Sequence, residues 1–344
     1  MILTHQPFAA CAQLVSVARG AVTLKKGARG VGVRLLQGGL LDLGYKMPGS
    51  IQKAGVPDGI FGLETTQVIT KFQGAEKLKD DGVVGKATMM RLDALAAKKA
   101  SAPPPVPAPA IPSAAVSVDY TLGLADPPHP PDPGAGPWNS RPTEASYLAL
   151  RSAIAEVLPA SIPLVGDDAV AHMWHYLNCS GRPYAIDLAG MIEEVPSAKT
   201  KYGQEVTQAK KFVEDLPVGT HQITSRNVEA GYNHKSENQN WYYAIGGYKR
   251  WGTGQATVQQ GPQGRSYVLD YTYRFYDRYN WDGGKSVTLF GVTITDYFMG
   301  EFHRQGIARE FDCHGSVRRR FTWKHGENVS PAQLTAPATS ERGA

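Results

Sequence analysis

Two segments, "PDGIFGLETTQVITKFQ" (57–73) and "DDGVVGKATMMRLDAL" (80–95), decide how the first third of the chain is read. Both run Asp-Gly, one residue, an apolar residue with Gly, two residues, Thr. An Asp-Gly pair makes a tight turn, the second Gly lets the chain reverse, and the Thr falls near the start of a short helix. In the first copy Val68, Ile69 and Phe72 then recur at the spacing of one buried helical face. Upstream, "LKKGARGVGVRLLQGGLLDLGY" (24–45) sets Val33, Leu36, Leu40 and Leu43 on one face, with Gly44 where the helix should stop. The expectation is a compact three-helix module with two turn-defined loops.

The ordered set Gly27, Gly30, Val33, Leu36, Gln37, Leu40, Leu43, Gly44, Tyr45, Asp58, Gly59, Phe61, Gly62, Thr65, Phe72, Gln73, Asp81, Gly82, Val84, Gly85, Thr88 and Leu92 resembles the peptidoglycan-binding domain carried by bacterial cell-wall hydrolases, over residues 22–97. The resemblance implies retention on the sugar–peptide mesh without chemistry of its own. It implies a ligand surface on the loops around Asp58, Gly59, Phe61, Gly62 and Thr65, and around Asp81, Gly82 and Thr88. An insertion, "KMPGSIQKAGVP", lengthens the loop before Asp58 and reshapes any groove there.

The whole chain, 344 residues, has room for two domains. A net charge of +5 suits anionic envelope polymers and falls short of a nucleic-acid signature. The first twenty residues lack a basic start followed by an unbroken apolar core, and no run of about 18 apolar residues occurs, so the reading has neither a general secretory signal nor a transmembrane segment. Three cysteines, Cys11, Cys179 and Cys313, fit neither a disulfide framework nor a zinc pattern. Residues 98–138 are rich in Pro and Ala and read as an extended, weakly structured tether, because Pro fixes φ and removes an amide donor. The organisation is thus an N-terminal extension (1–21), the binding module (22–97), the linker (98–138), an effector domain (139–328) and a flexible tail (329–344).

The second module opens with helices. "TEASYLALRSAIAEVL" (143–158) has Thr143 as a cap, "GDDAVAHMWHYLN" (166–178) carries acids in its first turn, and a third helix falls within 197–216. From 220 the period becomes two: "HQITSRN", "NWYYAIGGYKRWGTGQATVQQ" and "RSYVLDYTYRFYDRYNW" read as strands, with "GPQG" (261–264) as their turn. "TITDYFMGEFHRQGIAREF" (293–311) reads as helix up to Gly306, and "FDCHGSVRRRFTW" as a hairpin. The fold class is multi-domain, the second domain being α+β with a curved antiparallel sheet.

Chemistry could reside in few places. His172, His175 and Cys179 follow a nucleophile-and-base spacing, yet Met173, Trp174, Tyr176 and Leu177 around them favour core histidines. Cys313-His314 are strand neighbours and point apart. The loop at 227–240, with His234, Glu237 and Asn240, reads as solvated. "YRFYDRYNWDGGK" (273–285) places Tyr273, Phe275, Asp277, Tyr279 and Trp281 on one strand face. An acid on an aromatic face needs a partner or a place at the strand end, which either function or a structural hydrogen bond explains.

From 241 onward the series "AIGGY", "GPQG", "TYRFY", "DRYN", "MGEFHRQG" and "FDCHG" resembles the catalytic domain of colicin M-type toxins. That resemblance implies a magnesium-assisted phosphodiesterase acting on the lipid-linked peptidoglycan precursor outside the cytoplasmic membrane. Asp277 and Tyr279 match by position. Asn280 stands where that family has Asp, and its His-Arg pair is absent after the loop, with only Lys285 nearby and His303-Arg304 on the next helix. Asn is neither an anionic ligand nor a base, and Asp282 is placed to compensate. Asp277, Tyr279, Asn280, Asp282, Lys285, His303 and Arg304 are the candidate catalytic set; the metal is unassigned.

Three functions stay open. The first is an envelope-directed antibacterial effector, exported without the general signal, acting in a target's periplasm, and matched by an immunity protein in the producer. The second is a cell-wall hydrolase, and the third a non-catalytic wall-anchored or membrane-perturbing protein.

Overall fold

The computed structural model describes residues 2–52, 56–99, 119–123, 125–128, 132–231, 235–281, 286–329, 333–334 and 339–340. The binding module is built on α3 (Val31–Asp42), α4 (Leu63–Ala75) and α5 (Lys86–Lys99), preceded by α1 (Gln6–Ala9) and α2 (Ala12–Arg19). Val33, Leu36, Leu40, Phe61, Ile69, Phe72, Val84 and Leu92 fill its core, as the helical spacing requires. Both Asp-Gly turns need a left-handed glycine, Gly59 at φ 72° and Gly82 at φ 68°. The segment 24–30 runs between the two loops and bonds to each, Leu24 to Val84 on one side and Ala28 to Phe61 on the other.

The second domain opens with α6 (Ala145–Val157), α7 (Ile162–Val165) and α8 (Asp167–Leu177). β1 (Tyr120–Leu122) precedes them; β2 (Tyr184–Ala185), α9 (Leu188–Glu194) and α10 (Pro196–Glu214) follow. The remainder is β3 (Gly219–Ser225), β4 (Val228–Gly231), α11 (Gln239–Ala244), β5 (Gly247–Gly261), β6 (Gly264–Tyr279), β7 (Ser286–Leu289), β8 (Val292–Thr295), α12 (Asp296–Arg304), β9 (Phe311–Lys324) and β10 (Thr339–Ser340). The sheet runs β1-β3-β5-β6-β9-β10, with β4 also on β5 and β2 parallel on β9; β7 and β8 form a separate hairpin. Along β6 the period of two holds: Tyr267, Leu269, Tyr271, Tyr273 and Phe275 are buried while their neighbours are partly solvated. α10 packs on this inner face through Tyr202, Val206, Ala209 and Val213.

Several expectations are corrected, the first being that 293–295 open the helix: they belong to β8, and the helix starts at Asp296. Residues 239–244 form a helix, because the Asn238 side chain accepts from Trp241 N at 3.1 Å and caps it. Residues 311–324 form one strand and no hairpin; Gly315 is there for close approach, since a Cβ would lie 2.9 Å from the Ile186 side chain and 3.0 Å from that of Leu188. The Pro-rich stretch is not a bare tether to its end: β1 pairs with β3, and residues 132–141 lie against α12. The tail returns to the sheet through β10 and through Gln333, which donates to Thr322 O at 3.0 Å. Residues 100–118 lie outside the described residues.

The two modules are packed together. Asp42, at the end of α3, accepts from Ala145 N (2.5 Å) and Ser146 N (2.9 Å), capping α6 from across the boundary, while Thr143 Oγ1 donates instead to Gln305 O. Arg34 pairs with Glu156. Gly38 and Gly39, unfavourable inside a helix, are explained by proximity: a Cβ on Gly38 would stand 2.7 Å from Ser146 Cα, and one on Gly39 would stand 2.3 Å from the Phe8 ring. Ala12 N bonds to Gly291 O and Thr293 N to Ala10 O, so the N-terminal residues wedge between module and β7–β8.

Candidate functional site

In the binding module the predicted loop residues serve the fold. Gln37 Nε2 donates to Asp58 Oδ1, Ile60 O and Thr65 Oγ1 while its Oε1 accepts from Gly59 N. One repeat later Gln73 Nε2 donates to Asp81 Oδ1, Val83 O and Thr88 Oγ1 while its Oε1 accepts from Gly82 N. The echo in the sequence is therefore one hydrogen-bond cage built twice, with α4 giving Thr65 to the first and Gln73 to the second. Phe61 is core, and Gly62 precedes α4.

In the second domain β6 ends beside the start of β9, with Tyr279 opposite Phe311, Arg278 opposite Asp312 and Asp277 opposite Cys313. Tyr279 is 7% exposed, stacked on Phe311 at 4.9 Å and ringed by Trp281 (5.3 Å), His172 (5.6 Å) and Tyr176 (6.0 Å). Burial holds its phenol far above its ordinary range. Asp277 meets the need for a partner at the strand end: its Oδ1 accepts from Arg278 N (2.8 Å) and its Oδ2 from Gly246 N (3.4 Å). On the opposite face Arg278 reaches Asp312 at 3.1 Å, and Tyr276 OH donates to the same carboxylate at 3.2 Å.

Glu310 joins these residues to α12. Its fully buried carboxylate accepts from Ala135 N (2.9 Å) and Trp281 N (3.2 Å) and lies 3.6 Å from Arg278 Nη2 and 4.0 Å from His303 Nε2. Burial pushes it up to about 7, against the pull of Ala135 N, Arg278 and Trp281 N. Glu310 N donates to His303 Nδ1 (3.0 Å), so the proton sits on Nε2 and is given to Gly136 O (2.9 Å). Burial lowers His303 to about 4, which keeps it neutral. Arg304 holds Glu301 and Ala135 O.

Of the candidate catalytic residues, Asp277, Tyr279 and Asn280 stand at the β6 end, and His303 and Arg304 meet that end through Glu310. Asp282 and Lys285 lie outside the described residues. Arg278 Nε, Asn280 Nδ2 and Trp281 Nε1 are buried donors without partners among the described residues. A carboxyl that titrates near neutrality can move a proton, and a guanidinium and unpartnered donors near it can hold an oxyanion. Glu310 gave no signal in the sequence: it is adjacent to Trp281 only through the pairing of β6 with β9.

His234 lies outside the described residues, and the other remaining candidates are structural. His172 is buried, bonds to Asp168 O at 2.7 Å and is lowered to about 4 by burial; His175 Nε2 bonds to Arg182 O. The Cys179 and Cys313 thiols are pushed up by burial, the reverse of an activated nucleophile. Glu237, in the polar loop, binds Ser197, and Asn240 binds Asp168. Among the described residues no three His, Cys, Asp or Glu side chains gather closely enough to hold a metal ion. Glu310 is already committed to backbone amides and Arg278, so the described residues do not make a magnesium cradle.

Residues 29–92 match the family model described as "Putative peptidoglycan binding domain". Comparison with curated proteins finds no match. Among solved structures the chain is similar to PaeM, a colicin M-like bacteriocin produced by Pseudomonas aeruginosa, at 12% identity and TM-score 0.28, covering 46% of this chain and 52% of that one. It is similar to truncated bacteriocin syringacin M from Pseudomonas syringae pv. tomato at 12% identity and TM-score 0.23, covering 47% and 61%. The chain thus spans roughly half to three-fifths of these structures. No single helix among the described residues is long and apolar enough to cross a membrane.

Proposed function

We propose that this chain is an antibacterial effector of the cell envelope, held on peptidoglycan by residues 22–97, whose α+β domain hydrolyses a phosphodiester of the lipid-linked peptidoglycan precursor. The observation that carries the reading is the wall-binding match over 29–92, in a module clamped onto the second domain by Asp42 and Gly38. In the reaction Arg278, Asn280 and Trp281 receive the phosphate oxygens, Glu310 takes the proton of the water whose oxygen bonds to phosphorus, and the P–O bond on the far side breaks, its leaving oxygen carrying away the electron pair and taking up a proton. Asp277 fixes the backbone at Arg278, and His303 and Arg304 hold the segment 135–136 that covers Glu310. That segment has to swing aside for water to reach the carboxyl. Asp282 and Lys285, which follow Trp281 in the chain, belong to the same set. The site of action is the periplasm of a target bacterium, and a cognate immunity protein protects the producer.

A second reading, a non-catalytic wall-anchored protein, draws on the burial of Tyr279 and the filled hydrogen bonds of His303. The full chain, directed to the periplasm of a test bacterium, separates the two when compared with Asp277→Ala and Glu310→Gln variants of equal folded yield. Lysis with loss of intact lipid-linked precursor by the parent alone supports the effector. Equal killing by all three makes the site structural, digestion of purified sacculi points to a wall hydrolase, and no killing by any supports the second reading.

A further inference from the structure

Between α10 and the inner face of the sheet lies a polar layer that the site at the β6 end does not use. Its carboxylate, Glu205, is fully committed: it pairs with Arg250 and accepts from Tyr120 OH (2.9 Å) and Ser225 Oγ (2.8 Å). Tyr120 OH also meets Tyr271 OH at 2.9 Å, and Gly252 leaves the room for this, since a Cβ there would stand 2.0 Å from Tyr271 OH. A second arginine faces the same layer. In "RRR" (318–320) the strand period turns Arg320 outward to Asp270 and Arg319 inward, opposite Tyr271. Arg319 is 8% exposed, its guanidinium lies 5.5 Å from the Tyr202 ring, and its Nε and Nη1 have no partner among the described residues. The hydroxyls of Tyr202 and Tyr273, whose rings touch at 5.1 Å, and the Nε of Arg250 are likewise buried and unpartnered. Glu205 is thus matched to Arg250, while Arg319, whose unpartnered Nε and Nη1 are donors only, pairs with no carboxylate among the described residues.

We propose that Arg319 and Tyr202 form a binding site for a small oxyanion, wedged between α10 and β9. An unpaired guanidinium buried among aromatic rings is unfavourable, and a bidentate carboxylate or phosphate oxygen pair is the group whose geometry its fork fits. The site is independent of the reaction proposed above: it lies on the α10 side of the sheet interior and shares no residue with the β6 end.

The test is calorimetric titration of the full chain with inorganic phosphate and with acetate, against sodium chloride at equal ionic strength, beside an Arg319→Met variant. Saturable binding of phosphate or acetate, absent with chloride and lost in Arg319→Met, supports the site, and the stronger of the two names the anion class. Should Arg319→Met not fold, Tyr202→Phe and Arg319→Lys keep the ring and the charge respectively, and each is expected to weaken binding about tenfold. Absence of binding by either anion, or unchanged binding in Tyr202→Phe and Arg319→Lys, overturns the proposal and leaves buried water to complete these donors.

Discussion

Replacing Gly38 with Ala reads out whether the two modules are one packed body, because the sign of the effect depends on it. In a free helix, Gly→Ala removes backbone entropy and stabilises by about 0.5–1 kcal/mol. Here the added Cβ would stand 2.7 Å from Ser146 Cα, 2.9 Å from Ser146 N and 3.0 Å from Ala145 O. These are backbone atoms at the capped first turn of α6, so no rotamer relieves the contact and the helices have to separate. Overpacking of this kind costs about 1–3 kcal/mol, and contact with backbone places it toward the upper end. Separation also stretches the Asp42 bonds to Ala145 N and Ser146 N, so part of the cap is lost with it. The net expectation is a loss of about 1–2 kcal/mol, which at about 2–4 °C per kcal/mol lowers the midpoint of thermal unfolding by several degrees. Differential scanning calorimetry of Gly38→Ala beside the parent measures it. A raised midpoint would refute the packed arrangement, since only a module free of α6 gains from the alanine.

Asp42→Ala removes the cap on α6 and should cost about 1 kcal/mol in urea unfolding, with Asp42→Asn recovering only part of it, since its single oxygen can accept from one of the two amides and its Nδ2 from neither. Gln73→Leu leaves Gly82 N and Asp81 without their partner and should destabilise by about 2–4 kcal/mol, and Gln37→Leu should do the same at the first cage, both read by chemical denaturation. Glu310, at about 7 in the fold against 4.5 in the open chain, contributes stability that is full below pH 4.5 and is lost as pH rises through 7. Relative to the parent, Glu310→Gln should therefore gain up to about 3 kcal/mol between pH 4.5 and 8, and an unchanged difference over that range counts against the buried carboxyl. His303 runs the other way: lowered from 6.5 to about 4, it contributes stability present above pH 6.5 and lost as pH falls through 4, so His303→Gln should blunt acid unfolding there.

Local rules carried much of this fold. The Asp-Gly turns, the α3 and α4 faces and the long β5 and β6 strands follow from spacing alone, because each is decided by residues a few positions apart. What escaped was decided at a distance. Gly315 looked like a turn and is a gap filled by Ile186 and Leu188; Thr143 looked like a cap, but Asp42, a hundred residues earlier, supplies it. The candidate site was legible on one strand only. Asp277, Tyr279 and Asn280 were found as a motif, whereas Glu310 becomes their neighbour through the register of β6 on β9, and no single-sequence signal specifies that register. The family resemblance implies a ligand surface on the loops of the binding module, and the same Asp58, Thr65, Asp81 and Thr88 close its cages; Gln37 and Gln73 are in the motif, but their role as the centres of those cages appears only when the loops close.

With α3 seated on α6, the stretch from 100 to 118 no longer sets how far the second domain can range from the wall. A leash of that length would let it sweep a wide volume, and a longer or shorter leash would change the sweep. A clamp fixes distance and bearing instead: whatever face the first module presses to the mesh, the β6 end is aimed along one direction from it. A cut between 100 and 118 would then leave both pieces travelling together, which makes the covalent connection dispensable once folding is complete.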